Sequence, residues 1–318
     1  MGEQMKLMVA YDGSAYADAA LDDLRRAGLP GDVQALIVSV SDALVNPSSP
    51  IPDTPMTSSR VRSAMALARE QASRLLQEAK QFAAIAGERI RSYFPDWKVS
   101  AEGIPGIPSQ ELLRTADQWN PHLIVVGSQG RSALSRFFLG SVSKKLATES
   151  HSSVRVVRPM IEKDEAEPPR LIIGVDGSPG AERAVRSVGR RVWPNGTELR
   201  IVAVDDSVSP GRIAHILPTA ADMIRSSNEE AANKARQMTD WAAKELGVIG
   251  LAVSVAMEKG EAQRMLIDEA VRWDADCIFA GSRGLDQPDE RLGLGVISSG
   301  LVTTAPCTVE IVRGRWRM

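Results

Sequence analysis

Residues 127–145 form a glycine- and serine-rich segment with the residue types that could bind a phosphate chain. Its glycines follow the spacing G, two residues, G, nine residues, G-S, with Gly127, Gly130 and Gly140 at the glycine positions. Because glycine has no Cβ atom, the backbone at these positions can approach a ligand closely. The spacing predicts a loop that wraps an anion, although glycine also serves plain turns.

A helix is predicted to begin at about Ser141, directly after this loop. Its free N–H groups and positive dipole end would point at the same space as the hydroxyls of Ser141 and Ser143. Arg131 and Arg136 lie on the intervening flap, where they could close over negative charge. The alternative is that Ser141 is only an N-cap and that both arginines are solvated surface residues.

Several segments of the chain recur about 154 residues further along it, which predicts two domains of one fold. The matching segments are the D-G-S turns after the first strands (Asp12 and Asp176), the G-S-x-G loops (starting at Gly127 and Gly281) and the final apolar strands (153–157 and 307–312). A period of this length suits two ordinary domains and not a solenoid array. We expect one domain over residues 1–159, a charged connector with two prolines over residues 160–170, and a second domain over residues 171–318.

Apolar strands alternate with helical stretches in both copies, in the order strand, helix, strand, loop, helix, strand, helix, strand, helix, strand. Long amphipathic helices are predicted over residues 61–93 and 220–246, after loops over 41–59 and 205–218. Parallel neighbouring strands need a crossover, and crossovers are usually helical. The order therefore predicts an α/β fold: two tandem doubly wound domains, each a five-stranded parallel sheet flanked by helices.

Ligands of an open parallel sheet bind beyond the carboxyl ends of its strands, where loops from neighbouring units meet. Asp12, the glycine loop and the helix start at Ser141 are all predicted at this edge of the first sheet. Asp12 stands before Gly13, so a simple turn or cap role is the alternative for it. The convergence of the three features is what favours a ligand site.

The sequence resembles a tandem universal stress protein of the ATP-binding branch. The G-2x-G-9x-G-S/T signature of that branch is met at Gly127, Gly130, Gly140 and Ser141, and the D-G-S turn and the V-x-V second strand also fit. The resemblance covers nearly the whole chain. It implies an adenine nucleotide alpha hydrolase-like fold that binds ATP, with or without Mg or Mn held through its phosphates.

The resemblance also assigns the binding residues by position. Asp12 and Val40 would contact the adenosine with Ala10 nearby, and Val40 would act through its backbone. The phosphates would lie in the loop and helix start, whose candidate residues are Gly127, Gly130, Arg131, Gly140, Ser141, Val142 and Ser143. No protein residue is assigned to a metal or to catalysis.

The second copy departs from the signature. Its flap is one residue longer, and Val296 stands where the first copy has Ser141, so a hydroxyl is lost. Asp286, Asp289 and Glu290 add negative charge on the flap, where an anion would be repelled, although Arg283 and Arg291 could neutralise part of it. We interpret this copy as an altered nucleotide site.

Composition narrows the class of protein. The chain of 318 residues is 43% hydrophobic and 25% charged, with a formal net charge of −2, which gives no electrostatic reason to bind nucleic acid or an anionic membrane. No apolar run is long enough to span a membrane and no export signal is visible, so a cytoplasmic location is expected. The two cysteines, Cys277 and Cys307, make no ligand cluster, and packing roles are predicted for them.

Catalytic groups for phosphoryl transfer are missing from the flap of the first copy, so we predict no enzyme, or at most a weak ATPase. The preferred function is a stress-response signalling module that binds ATP mainly in its first domain and acts on a protein partner that the sequence does not identify. The alternatives are an interaction scaffold with a vestigial nucleotide site, and a slow ATP hydrolase. Universal stress proteins pair their last strands, so residues 154–157 and 309–312 could form an intrachain pseudo-dimer, and a homodimer of the whole chain stays open.

Overall fold

The computed structural model describes residues 4–42, 59–131, 139–159, 167–207, 218–284 and 293–314. Several residues and segments singled out above lie outside these ranges. They are the flap residues Arg136, Asp286, Asp289, Glu290 and Arg291, most of the loops predicted at 41–59 and 205–218, and residues 160–166 of the connector.

The first domain alternates strands and helices as predicted. Its elements are β1 (Met5–Ala10), α1 (Ala15–Asp23) with a 3-10 turn over Leu24–Arg26, β2 (Val33–Asp42), α2 (Ser59–Tyr93), β3 (Lys98–Gly106), α3 (Pro108–Trp119), β4 (Leu123–Gly127), α4 (Ser141–Glu149) and β5 (Ser153–Val157). β2 includes the first two residues of the predicted loop, and α2 takes its last residue.

The second domain repeats this order. Its elements are β6 (Arg170–Val175), α5 (Pro179–Gly189), β7 (Glu198–Asp205), α6 (Pro218–Val248), β8 (Ala252–Lys259), α7 (Ala262–Arg272), β9 (Cys277–Gly281), α8 (Val296–Thr304) and β10 (Thr308–Val312). β6 begins at Arg170, which the sequence placed at the end of the connector.

The first helix of each domain begins at a serine for a local chemical reason. Ser14 and Ser178 have extended backbone conformations, and each hydroxyl accepts a hydrogen bond from the backbone N–H three residues later, at 3.1 Å. Such a cap satisfies one of the N–H groups that a helix leaves open at its N-terminus. The two D-G-S motifs are thus helix starts as well as turns.

All ten strands form one continuous sheet with the order β3-β2-β1-β4-β5-β10-β9-β6-β7-β8. Strands are parallel within each domain, and the two halves join where β5 pairs with β10 in the antiparallel direction. The predicted α/β class with two five-stranded parallel sheets is confirmed. The last strands pair within one chain, which covers an edge that each domain would otherwise expose.

Helices cover both faces of this sheet and enclose three apolar cores. One core lies over α3, α4, α7 and α8 and runs continuously from the first domain into the second. The other two lie on the opposite face, one in each domain, under α1 and α2 and under α5 and α6. In the described part of the chain, none of the helices is long and apolar enough to cross a membrane.

Candidate functional site

The D-G-S turn of the first domain holds Asp12 at the carboxyl end of β1. One carboxylate oxygen, Oδ1, accepts a hydrogen bond from the backbone N–H of Ser14 at 3.0 Å. The side chain is half-buried, so its other oxygen, Oδ2, faces the neighbouring loop. The turn role weighed in the sequence is therefore present, and it leaves one oxygen for a second partner.

That second partner is the glycine loop. The backbone N–H of Arg131 donates to Asp12 Oδ2 at 3.3 Å, and a Cβ atom at Gly130 would lie 2.8 Å from the same oxygen. Any side chain at Gly130 would thus push the carboxylate away. The structure brings Asp12 and the loop together at one edge of the sheet, as the sequence predicted.

β2 places Val40 beside this turn. β1 pairs Ala10 with Val38, the Tyr11 N–H donates to the Val38 carbonyl at 3.0 Å, and β2 continues past this point to Val40 and Asp42. The side chain of Ala10 is buried, and that of Val40 packs against the core. Contact between a ligand and Ala10 would have to come from the backbone, whereas Val40 is partly exposed.

α4 begins at Ser141 and has no side-chain cap among the described residues. Its N-cap residue is Gly140, whose backbone N–H donates to the Ser128 carbonyl at 2.8 Å. The first N–H groups of a helix have no intrahelical acceptor, so a ligand could take them as donors. Ser141 itself is exposed, and Val142 is half-buried. This helix start differs from the serine-capped start of α1 and is the more open of the two to an anion.

Ser143 has a different role from the one predicted. Its hydroxyl is buried and donates to the Gly127 carbonyl at 2.6 Å, which ties α4 to the end of β4. A hydroxyl has one proton, and a phosphate oxygen can only accept one. In this arrangement Ser143 does not donate to an anion, which corrects the expectation that its hydroxyl faces a phosphate.

Gly127 is also explained by packing. A Cβ atom there would lie 2.6 Å from the backbone oxygen of Tyr16 and 3.0 Å from the backbone nitrogen of Ala17. The first turn of α1 therefore sits directly against the end of β4. The absence of a side chain at Gly127 serves the contact between helix and strand, whether or not a ligand binds.

Arg131 reaches toward α2. Its guanidinium ion-pairs with Glu78 at 2.7 Å and lies 5.2 Å from the centroid of the Phe82 ring. The Phe82 ring in turn covers Gly13 of the turn, where a Cβ atom would lie 2.6 Å away. Glu78 and Phe82 are one helical turn apart, so α2 contributes a wall to the site that motif spacing did not reveal. Helical periodicity marked α2 only as amphipathic.

The second domain repeats the turn and loop but changes their surroundings. Asp176 accepts from the Ser178 N–H at 2.9 Å, and a Cβ at Gly284 would lie 2.8 Å from its Oδ2. The residue against Gly177 is Lys234 in place of an aromatic ring. Val296 is 81% exposed at the start of α8, where the first domain has a serine.

The third residue of the G-S-x-G segment also differs between the two domains. Arg283, the counterpart of Gln129, is buried beside residues 293–295. Burial, together with repulsion from Arg283, lowers the pKa of Arg313 to about 10. The loop of the second domain therefore carries a buried cation at the position where the first domain has a neutral glutamine.

A cavity of about 180 Å³ lies between the domains and not at either D-G-S turn. Its lining includes Arg183, Arg186, Arg190 and Arg191 from α5 and the residues just after it. Pockets for ordinary ligands have about 300–1,000 Å³. We place the candidate site at the strand ends instead, because there the acidic turn, the glycine loop and the open helix start converge.

The described part of the chain offers neither a cluster of metal ligands nor a cysteine suited to reaction. Among the residues that the structure describes, no three His, Cys, Asp or Glu side chains come together as a metal site. Burial raises the pKa of the Cys277 thiol, which suits a packing residue. His122 accepts a hydrogen bond from the Lys6 backbone N–H at 2.8 Å, and so joins the start of β4 to β1.

A doubly wound parallel sheet with an acidic turn, a glycine loop and a helix start at its carboxyl edge is an architecture typical of nucleotide-binding α/β proteins. The chain belongs to the universal stress protein family, whose model matches residues 5–158 and 169–313. The recognition made from the signature residues is thereby confirmed.

Several known proteins and solved structures are similar to this chain. A universal stress protein of Methanocaldococcus jannaschii is 32% identical over 91 residues, which are 28% of this chain and 52% of that protein. The chain thus spans about half the length of that relative. A universal stress protein of Archaeoglobus fulgidus shares the fold over 97% of this chain and 98% of its own, with a TM-score of 0.57 and 21% identity. A universal stress protein family protein from Arabidopsis thaliana, solved with AMP bound, matches 46% of this chain and 93% of its own at 15% identity and a TM-score of 0.32.

Proposed function

We propose that this chain is a stress-response protein that binds ATP in its first domain and signals through the nucleotide-bound state. The observation that carries the proposal is the convergence of the Asp12 carboxylate, the Gly130 loop and the uncapped start of α4 at one edge of the sheet. Membership of the universal stress protein family supports it.

The parts of the site suit different parts of a nucleotide. An ionised carboxylate only accepts hydrogen bonds, so Asp12 suits the hydroxyls of a ribose and not a phosphate. The backbone at Val40 can pair with adenine. The N–H groups at the start of α4 and the Ser141 hydroxyl suit the phosphates, because a helix N-terminus attracts anions.

Arg131 would complete the phosphate site. The Arg131 side chain is 54% exposed and its ion pair with Glu78 is a surface one, so rearrangement toward a phosphate costs little. Two parallel N–H donors make arginine well suited to phosphate oxygens. A divalent Mg or Mn ion would be held through the phosphates and water.

The chain would act by binding and not by turnover. Phosphoryl transfer needs an acid that positions a metal and a group that orients the attacking water. The described residues of the first-domain loop, 127–131 and 139–145, include no acidic residue that could position a metal. We therefore predict turnover well below about 1 per second. A partner protein would bind differently to the nucleotide-bound and the nucleotide-free chain.

Calorimetric titration with ATP tests the site assignment. We expect one site per chain, and we expect Asp12→Ala to weaken ATP binding at least tenfold, because a hydrogen bond to a charged group contributes about 1.5–3 kcal/mol. Asp176→Ala is the matched control, since Asp176 holds the same turn in the second domain. Mass spectrometry of the protein purified without added ligand identifies the resident nucleotide.

Two outcomes contradict the proposal. Two equivalent ATP sites per chain would show that the second domain is not altered in function. Equal affinity in the wild type and in Asp12→Ala, with Asp12→Asn also unchanged, would place the ligand elsewhere and leave a scaffold with a vestigial site.

A further inference from the structure

The junction between the two domains places one buried arginine opposite one buried glutamate. The register of the antiparallel pair joins Arg155 of β5 to Glu310 of β10, between the pairs Val156–Val309 and Val154–Ile311. Arg155 and Glu310 are 2% and 0% exposed, respectively. Two charged side chains therefore stand at the centre of an otherwise apolar strand pair.

These two positions are equivalent in the internal repeat. β5 reads Ser153-Val-Arg-Val-Val and β10 reads Thr308-Val-Glu-Ile-Val, so each charge is the third residue of its strand. When two copies of one strand pair about a twofold axis through this register, the third residue meets itself. A pair of first domains would set Arg155 against Arg155, and a pair of second domains would set Glu310 against Glu310.

Each central charge has a partner from its own domain. Both Nε and Nη2 of Arg155 donate to the carboxylate of Asp23 at the end of α1, and Nη2 lies 2.9 Å from Oδ1. Glu310 accepts from Arg191, just after α5, and from Arg155 Nη1 at 3.2 Å. The buried set thus contains two positive and two negative groups, and Arg155–Glu310 is an ion pair in it that joins the two domains.

Electrostatics supports a full charge on Arg155. Burial by itself lowers the pKa of this guanidinium, but the neighbouring Asp23, Cys277 and Glu310 outweigh burial and raise the pKa well above its usual value. A buried charge that lost its partner would be strongly unfavourable.

The partner positions are not interchangeable between the domains. Counted from the capping serines, Asp23 is nine residues after Ser14, and the residue nine after Ser178 is Ser187. In the same way Arg191 corresponds to Ala27, whose carbonyl accepts from Arg191 Nη1 at 2.9 Å. The charge pattern therefore breaks the internal symmetry at the point where the two halves meet.

We propose that Arg155 and Glu310 restrict last-strand pairing to one combination, in which the first domain pairs with the second domain and neither domain pairs with a copy of itself. Specificity is a difference between affinities, and like charges facing each other act against the wrong partner. The connector places the right partner in the same chain at a high effective concentration. A homodimer of whole chains would then have to use another surface.

A nicked protein tests this proposal. A protease site is placed within residues 160–166 of the full chain, the folded protein is cut, and native mass spectrometry separates the pairs first–second, first–first and second–second. We expect almost only the first–second pair from the wild type. Glu310→Arg sets a second cation against Arg155, and we expect first–second association to weaken at least 100-fold, as for a broken buried ion pair.

Neutral variants keep the test valid if Glu310→Arg fails to fold. Glu310→Gln preserves the size of the side chain and removes its charge, whereas Arg155→Gln removes the charge with a shorter side chain. In each variant we expect the first–second pair to weaken while the homotypic pair of the neutralised domain becomes detectable. A merely structural role would weaken the first–second pair without producing homotypic pairs. Glu88→Arg makes the same charge change on the surface of α2, where the side chain is 77% exposed, and should change nothing. Homotypic pairs in statistical amounts from the nicked wild type, or a first–second pair indifferent to Glu310→Arg, would overturn the proposal.

Discussion

The D-G-S turns and the G-S-x-G segments that follow β4 and β9 make matching contacts in the two domains but have different surroundings. In both domains the aspartate of the D-G-S turn accepts from the serine N–H two residues later, and its other oxygen lies against the second glycine of the loop. The differences lie around this shared frame, at Phe82 against Lys234, at Gln129 against Arg283 and at Ser141 against Val296.

The comparison shows that much of the signature serves the fold. The first glycine of each loop touches the start of the neighbouring helix, through Tyr16 in one domain and Gly180 in the other. The buried serine of each last helix donates to the carbonyl of that same glycine, at 2.6 Å and 2.7 Å. The persistence of these residues in the second domain is therefore no argument for a second nucleotide site. A difference in nucleotide binding between the two domains would have to come from the residues that differ.

The largest effect is expected at the first glycine of each loop. Gly127→Ala and Gly281→Ala would place a Cβ atom 2.6 Å and 2.5 Å from helix backbone atoms, which cannot rotate away. We expect each to lower the free energy of unfolding by about 3 kcal/mol, measured by urea denaturation without nucleotide. If Gly127→Ala kept normal stability but lost ATP binding, this glycine would be a ligand residue. The two loop glycines would then have different roles.

The buried serines should behave alike. Ser143→Ala and Ser298→Ala each remove a donor to the carbonyl of the loop glycine, and we expect a loss of about 2 kcal/mol in both domains. Thermal unfolding of the two variants measures this loss. Ser141→Ala is the control, because Ser141 is exposed and lies after the N-cap residue Gly140. Unequal losses of stability at Ser143 and Ser298 would show that the two hydrogen bonds to the loop glycines are not equivalent.

The exposed helix starts should behave differently. Ser141→Val copies the second domain and removes one hydroxyl from the phosphate site, and we expect ATP to bind about fivefold more weakly, a change of about 1 kcal/mol. Val296→Ser makes the reverse change, and we expect no new site because the acidic residues of that flap remain. Titration with ATP measures both, and a second site created by Val296→Ser alone would contradict our interpretation of the second domain.

The smallest effect is expected at the acidic partner of Arg131. Glu78→Gln breaks an exposed ion pair, which releases the guanidinium toward a phosphate. We expect ATP to bind about twofold more tightly at low salt and the gain to shrink as salt is added. Glu230→Gln is the counterpart, since Glu230 pairs with Lys234 in the second domain, and it should leave ATP affinity unchanged.

Most of the architecture could be predicted because its signals are local. Alternating apolar strands and amphipathic helices indicated the two five-stranded sheets, and glycine and serine spacing indicated the loop and the start of α4 at Ser141. The wrong expectation at Ser143 and the unseen wall formed by Glu78 and Phe82 have one cause. Both depend on which distant side chain or carbonyl lies within hydrogen-bonding or van der Waals distance, and spacing along the chain does not contain that information.

The sequence by itself determined that this protein has two copies of one α/β domain with an acidic turn and a glycine loop, because hydrophobic periodicity and the conformational needs of glycine act over a few residues. Only the tertiary structure decided which signature residues support the fold and which stay open to a ligand. It also decided that Arg155 meets Glu310 between the domains, since strand register and burial arise from packing across the whole sheet.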